Sequence, residues 1–219
     1  MKRIITTVAV AIATIGAVSA QEIKFGAKAG LNLSTVSVSD QSTTRAGFTY
    51  TTKSITGFRP SFHIGAFAEY GFTDKLFVEA GVAYSSQGAT LKKTERKTVN
   101  DITKAIVDER STDFKDASLI LNFLNVPIWL KYDIAGFRPK VGVNLGYLAN
   151  AKSKIGSETE KLEPNKRFDF GVGVGAEYNL PMGLFVDADF VLGLGNMADK
   201  DSDATIKNRA IQIGVGYKF

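Results

Sequence analysis

Eight segments of the chain alternate apolar residues with small or polar ones, position by position. Side chains of a strand point to opposite faces in turn, so each segment would have one apolar face and one polar face. Segments of roughly ten residues with this alternation are typical of membrane-spanning strands. The eight segments are 24–33, 61–72, 75–85, 119–132, 137–148, 167–178, 183–194 and 212–219. The pattern predicts an all-β fold, an eight-stranded antiparallel up-and-down transmembrane β-barrel.

The connections between these segments are short and long in turn. The short ones are 71–75, 133–136 and 179–183, and the long polar ones are 34–60, 86–118, 149–166 and 195–208. Outer-membrane barrels of bacteria have short periplasmic turns and longer extracellular loops. We therefore expect both termini to be periplasmic and the long loops to face the outside of the cell.

Aromatic residues cluster towards both ends of the apolar faces, where membrane interfaces favour such rings. The group near the short turns is Phe25, Tyr70, Tyr132, Phe137, Tyr178, Tyr217 and Phe219, and the opposite group is Phe62, Tyr84, Tyr147 and Phe168. Two aromatic girdles are expected of a barrel that spans a membrane, so these positions support the predicted fold.

The first twenty residues have the features of a secretory signal peptide. Lys2 and Arg3 precede an uncharged apolar run from position 4 to about 18, and small residues end at Ala20. We expect residues 1–20 to be removed and residues 21–219 to form one outer-membrane β-barrel domain. The chain has no cysteine, so disulfides cannot stabilise this exported domain.

Several stretches resemble the PorT-like outer-membrane β-barrel family. They are residues 25–34 (FGAKAGLNLS), 63–70 (HIGAFAEY), 124–128 (LNVPI) and the last strand. The last strand, with Gln212, Gly214, Tyr217 and Phe219, also resembles the signal that the barrel-assembly machinery of Gram-negative bacteria reads. The resemblance implies an outer-membrane-protein-X type barrel in the outer membrane of a Gram-negative bacterium. It also implies outer-membrane lipid, lipopolysaccharide and the assembly machinery as partners.

Charged residues occupy the polar faces of the predicted strands. An eight-stranded barrel is just wide enough for its inward side chains to fill it, and buried charges must be paired. We therefore predict a salt-bridged polar plug in the lumen, with a narrow ion path as the alternative. The residues predicted to form this lumen charge network are Glu69, Glu79, Lys131, Arg138, Lys140, Glu177, Asp187 and Asp189, and the same faces also carry Lys24, Lys28 and Lys218.

Evidence for catalysis in the sequence is weak. The chain has one histidine, His63, with Ser61 and Glu69 on the same face of its strand. Glu69 lies about 20 Å along the strand from His63, which is too far to orient it. We expect no catalytic residue, no cofactor and no metal site, since 199–203 (DKDSD) lacks the glycine and terminal glutamate of a calcium-binding hand.

The second long loop carries an unusual basic run. Lys92, Lys93, Arg96 and Lys97 could contact lipopolysaccharide phosphates or a partner, although charged loops are usually solvated. Further on, Ile102, Ile106 and Val107 recur at a spacing typical of a helix. The extracellular partner is not identifiable from this pattern.

The net charge gives little support to nucleic-acid binding. The chain has 27 basic and 22 acidic residues, and two of the basic ones lie in the predicted signal peptide, which leaves +3 for the remainder. We interpret the protein as a structural or adhesion-type surface barrel. The alternatives are a small passive porin, a lipid-modifying barrel enzyme, and a soluble calycin-like barrel with an apolar interior.

Overall fold

The structure of the protein, a computed structural model, describes residues 23–163, 166–198 and 204–219. The predicted signal peptide and the 199–203 segment lie outside these residues. The described part of the chain forms eleven strands and a short 3-10 turn at Pro181–Gly183. The strands are β1 (Ile23–Val38), β2 (Gln41–Arg45), β3 (Phe48–Gly57), β4 (Arg59–Gly71), β5 (Leu76–Asn100), β6 (Ile106–Tyr132), β7 (Phe137–Ile155), β8 (Glu158–Leu162), β9 (Phe168–Asn179), β10 (Leu184–Gly193) and β11 (Ile206–Lys218).

Eight of these strands form a closed ring of antiparallel neighbours. The order around the ring is β1, β4, β5, β6, β7, β9, β10 and β11. β11 then pairs with β1 from Gly26↔Lys218 to Val38↔Ile206 and closes the ring. A closed ring leaves no unpaired backbone edge facing lipid. The prediction of an eight-stranded antiparallel up-and-down barrel is confirmed.

The two faces of the barrel wall have opposite chemistry. Large apolar side chains point outward, with 68% of Leu31 and 64% of Val82 exposed, whereas Glu79, Lys131 and Glu177 are fully buried inside. A soluble calycin-like barrel would have the reverse arrangement, so that alternative is wrong. No helix in the described residues is long and apolar enough to cross a membrane.

One end of the barrel, called the turn end, has three tight connections, as predicted. In the first, the Thr73 hydroxyl accepts hydrogen bonds from the amides of Lys75 and Leu76. In the second, the Asp133 carboxylate accepts one from the Gly136 amide. The third is the 3-10 turn between β9 and β10.

The opposite end, called the hairpin end, differs from the prediction. The connections predicted as loops at 34–60, 86–118 and 149–166 contain β2, β3 and β8, and they extend several ring strands beyond the predicted limits. β6 alone has 27 residues, whereas a membrane needs roughly 9–11 per strand. We call β2, β3 and residues 90–118, which include the turn between β5 and β6, the hairpin lobe. Its strands were missed because, away from lipid, neither face has to be apolar.

The helix suggested by Ile102, Ile106 and Val107 is also wrong. Residues 101–105 are the turn of the β5–β6 hairpin, in which the Asn100 side chain accepts hydrogen bonds from the amides of Ile102 and Thr103. Ile106 and Val107 begin β6. Strand pairing with β5 thus overrides the weak helical spacing.

Candidate functional site

The lumen charge network is centred on Lys131, near the turn end. Its ammonium nitrogen lies 2.8 Å from Glu69, 2.5 Å from Glu79 and 2.6 Å from Glu177, with no exposed side-chain surface. The three carboxylates come from β4, β5 and β9, so this one lysine on β6 ties together strands on different sides of the ring.

A second centre forms around Lys140 on β7. Its nitrogen lies 2.9 Å from both Asp187 and Asp189 of β10. The Asp189 contact lacks hydrogen-bond geometry and is an ion pair only. Lys28 of β1 joins the two centres, because it lies 3.2 Å from Glu79 and 3.4 Å from Asp187.

Arg138 and Lys218 complete the network at the turn end. Arg138 lies 2.8 Å from Glu69, and Lys218 lies 3.0 Å from Glu69 and 2.5 Å from Glu177. The structure therefore brings together all eight residues predicted for the network, together with Lys28 and Lys218, which the sequence had placed on the same faces. The result is five cations and five carboxylates in contact across the lumen.

Aromatic side chains fill the space between these charges. Phe67 and Phe185 pack edge to face with ring centroids 5.7 Å apart, and the Lys131 nitrogen lies 5.6 Å from the Phe67 ring. Trp129 lies beneath Lys140, 4.9 Å from its nitrogen. A side chain at the inward Gly173 would clash with the Trp129 ring. This inward glycine makes room for an aromatic ring.

Three of the carboxylates are close enough together to hold a cation. Oxygens of Glu69, Glu79 and Glu177 lie within 4.8 Å of one another. The ammonium of Lys131 contacts all three, so the position that a metal ion would take holds a lysine nitrogen.

A layer of uncharged polar residues lies above the network, towards the hairpin end. His63 Nδ1 is 2.8 Å from Asn32 Oδ1, which also accepts a hydrogen bond from Gln212. The Ser61 hydroxyl donates to the Ser86 carbonyl, 2.6 Å away. Ser61 and His63 thus form hydrogen bonds with other residues, and the partner of His63 is an amide rather than a carboxylate.

A small void interrupts this polar layer. Its volume is about 10 Å³, roughly enough for one water molecule. The side-chain oxygens of Asn125 and Asn208, both buried at its edge, have no hydrogen-bond partner. Asn208 donates its amide hydrogen to Gln87.

The interior of the hairpin end is apolar, which the sequence analysis missed. Its cluster is made of Val36, Ala89, Leu121, Phe123, Leu148 and Ala151, each with 4% or less of its surface exposed. Three of the six, Val36, Ala89 and Ala151, lie in segments that were interpreted as loops. The sequence feature that could have indicated these buried residues is a weak alternation of apolar residues with small polar ones, as in 35–38 (TVSV).

Asp133 supports the barrel from outside the membrane-spanning segments. Its carboxylate contacts Arg138 and accepts the Gly136 amide. Partial burial would raise the pKa of Asp133, but the hydrogen bonds from Arg138 and Gly136 outweigh it and hold this pKa below its usual value.

The basic run of the hairpin lobe does not form a single patch. Lys93 lies 2.8 Å from Glu95, and this hydrogen bond raises the pKa of Lys93. Lys97 is opposite Glu109 in the strand register. Residues 92–116 contain seven basic and six acidic side chains, a net charge of 7 − 6 = +1.

Exposed aliphatic residues lie at the far tip of the lobe instead. Ile102 is 89% exposed, and Ile106 and Val107 are more than half exposed. The turn between β5 and β6 and the start of β6 therefore present aliphatic side chains to solvent.

The four residues predicted as an assembly signal are all on β11 or directly after it. Gln212 points inward to Asn32, and Gly214 lies beside Asp187. Tyr217 and Phe219 form an exposed ring pair with centroids 5.3 Å apart. Their role in assembly stays a prediction.

Comparison with known proteins decides the family. Residues 6–219 match the outer membrane protein beta-barrel domain. The chain belongs to this family. It is therefore an outer-membrane β-barrel, in agreement with its apolar exterior and charged interior.

Solved structures with a similar fold include three outer-membrane barrels. Neisserial surface protein A is 14% identical, with 92% of this chain and 100% of that chain covered and a TM-score of 0.49. Ail of Yersinia pestis, solved with the heparin analogue sucrose octasulfate, is 14% identical, with 90% and 99% covered and a TM-score of 0.44. OprG of Pseudomonas aeruginosa is 15% identical, with 90% and 95% covered and a TM-score of 0.43. No curated protein matches the chain.

Proposed function

We propose that this outer-membrane barrel has a closed lumen and acts as a non-enzymatic surface-interaction protein through its hairpin lobe. The hairpin end faces the outside of the cell and the three tight turns face the periplasm, as is usual for such barrels. Outward apolar side chains contact the outer-membrane lipid, including lipopolysaccharide.

The closed lumen rests on the pairing of its charges. Lys131, Lys140 and Lys28 each contact carboxylates from at least one other strand, and aromatic rings fill the space between them. An open pore would need water in place of these direct contacts. The network therefore favours a plug over a passive porin.

The surface role rests on the hairpin lobe, which is the observation that carries the proposal. β3, β5 and β6 continue as one paired sheet far beyond the length that a membrane needs. The tip of this sheet presents Ile102, Ile106 and Val107 to solvent. A rigid protrusion with an apolar tip suits contact with another surface better than it suits transport.

The test uses cells of a Gram-negative host that lacks the protein. Attachment to polystyrene and to immobilised lipopolysaccharide is measured with and without expression of the full chain. A variant in which Ile102, Ile106 and Val107 are replaced by serine should lose the gain in attachment to polystyrene. A second variant, with Lys92, Lys93, Arg96 and Lys97 replaced by glutamine, tests whether lipopolysaccharide phosphates are contacted.

The matched control changes Arg110 and Lys115, two exposed residues of the same hairpin, to serine. All variants should keep the heat-dependent electrophoretic mobility of a folded barrel. If wild-type expression changes attachment to neither surface, the surface-interaction role is wrong.

A further inference from the structure

The apolar interior of the hairpin end contains two adjacent cavities, both partly open to solvent. The first has a volume of about 190 Å³ and the second about 290 Å³. Leu119 and Ile206 line both, so the two spaces meet at these side chains. Both lie above the polar layer and are separate from the charge network at the turn end.

Most residues that line the cavities are aliphatic, although Ser54, Thr56, Ser118, Ser153 and Lys154 also line the first and Glu163 lines the second. Val36, Ala89 and Leu91 line the first, and Leu121, Met197 and Ala151 line the second. The buried side-chain polar atoms that lack a hydrogen-bond partner in the described residues belong to Asn125, Asn179, Asp189 and Asn208, and none of these residues lines either cavity. Neither cavity therefore contains a buried polar atom that needs a water molecule as its partner.

Spaces of this size are unusual in a folded interior. Protein interiors are packed as closely as organic crystals, and voids larger than a water molecule are few. An aliphatic cavity of roughly 150 Å³ stays dry and binds small apolar molecules such as benzene. The mouths of β-barrels are also common places for small-molecule sites.

Charge at the rim narrows the class of ligand. Among the described residues that line the cavities, two are charged: Lys154 at the first and Glu163 at the second, and both are exposed. Ser153 and Ser118 lie beside Lys154 at the same rim. The first cavity therefore has a cation and hydroxyl groups at its rim, whereas the second has a carboxylate, so an anionic group is favoured only at the first.

We propose that these cavities bind an aliphatic carboxylate, with its chain among Leu119, Leu121 and Ile206 and its carboxylate towards Lys154. Burial of the chain supplies most of the affinity, because it removes apolar surface from water. The exposed ion pair with Lys154 adds a smaller preference for the anion.

The test follows methionine methyl groups by NMR, with the full chain in lipid nanodiscs and decanoate as the probe. Met197 lines the second cavity, whereas Met182 lies in the 3-10 turn at the opposite end and is 86% exposed. Decanoate should shift the Met197 signal saturably and leave Met182 unchanged. A shift that rises linearly and equally at both methionines would mean partition into lipid only and would overturn the proposal.

Variants locate the site. Ala89→Leu and Ala151→Leu fill the first and second cavities and should each weaken decanoate binding at least about tenfold, since the added side chain takes the ligand's space. Ala66→Leu, on the outward face of β4, is the matched control and should change nothing. Binding that survives both cavity-filling changes would contradict the assignment.

Lys154→Gln tests the carboxylate. This variant should bind decanoate about threefold more weakly, as expected for an exposed ion pair, and should bind neutral decanol as the wild type does. Equal loss of decanoate and decanol binding would show that Lys154 acts through the shape of the site and would overturn its role as the anion's partner.

Discussion

Replacement of Lys131 by methionine should destabilise the barrel strongly. The lysine has no exposed side-chain surface, and its nitrogen contacts Glu69, Glu79 and Glu177 at 2.8, 2.5 and 2.6 Å. Methionine keeps most of the volume but removes the charge, and it leaves three carboxylate oxygens within 4.8 Å of one another. Removal of one partner from a buried ion-pair network costs about 3–5 kcal/mol.

The remaining ion pairs determine which carboxylate is left least compensated when Lys131 is replaced. Glu69 keeps Arg138 and Lys218, whereas Glu79 keeps only Lys28, at 3.2 Å, among its ion pairs in the described residues. Adding Glu79→Gln to Lys131→Met should therefore recover part of the loss, because it removes the carboxylate that is left with the weakest compensation. A double-mutant cycle measures this coupling.

The assay is urea unfolding in lipid vesicles, followed by the fluorescence of Trp129. It is the single tryptophan of the chain and lies inside the barrel, 2% exposed. Lys115→Met, at an exposed position of β6, is the control and should change the free energy of unfolding by less than about 0.5 kcal/mol. If Lys131→Met costs no more than this control, the network does not stabilise the barrel as argued.

Three further predictions concern single sites. Gly173→Ala should cost about 1–3 kcal/mol by circular dichroism, since its methyl group meets the Trp129 ring, and Trp129→Phe in the same chain should relieve part of that cost. Asp133→Asn should lower the free energy of unfolding near pH 7. Because the pKa of this carboxyl is depressed in the folded state, the difference in free energy of unfolding between wild type and variant should narrow as the pH falls below about 4. A difference that does not depend on pH would refute the assignment. His63→Ala should cost about 1–3 kcal/mol by leaving a buried amide with one fewer partner, and mass spectra of lipid A from expressing cells should not change.

The architecture was readable from the sequence because lipid imposes strict alternation on the spanning strands. Val126, Ile128 and Leu130 could face only lipid, which placed Trp129 and Lys131 inside. The partners of Lys131 were not readable, since they depend on the stagger between neighbouring strands. Register is set by the whole closed ring and not by any one segment.

The strands of the hairpin lobe could not be predicted from alternation. In residues 94–98 (TERKT) both faces are polar, so alternation gives no signal, although the segment pairs with β3 and β6. The apolar cavities were missed for a related reason, because Val36, Ala89 and Ala151 lie in segments with many polar positions and only weak alternation. Tertiary pairing determines strands there, and local pattern does not.

The closed lumen is the central claim, and planar-bilayer recording of the full chain tests it most directly. Folding is first verified by the shift in electrophoretic mobility on heating, so that an absence of conductance is not due to an absence of folded protein. We predict no stepwise conductance from the wild type, because the charges around Lys131 and Lys140 are paired across the lumen. Well-defined, reproducible conductance steps would contradict the account and would make the protein a small porin.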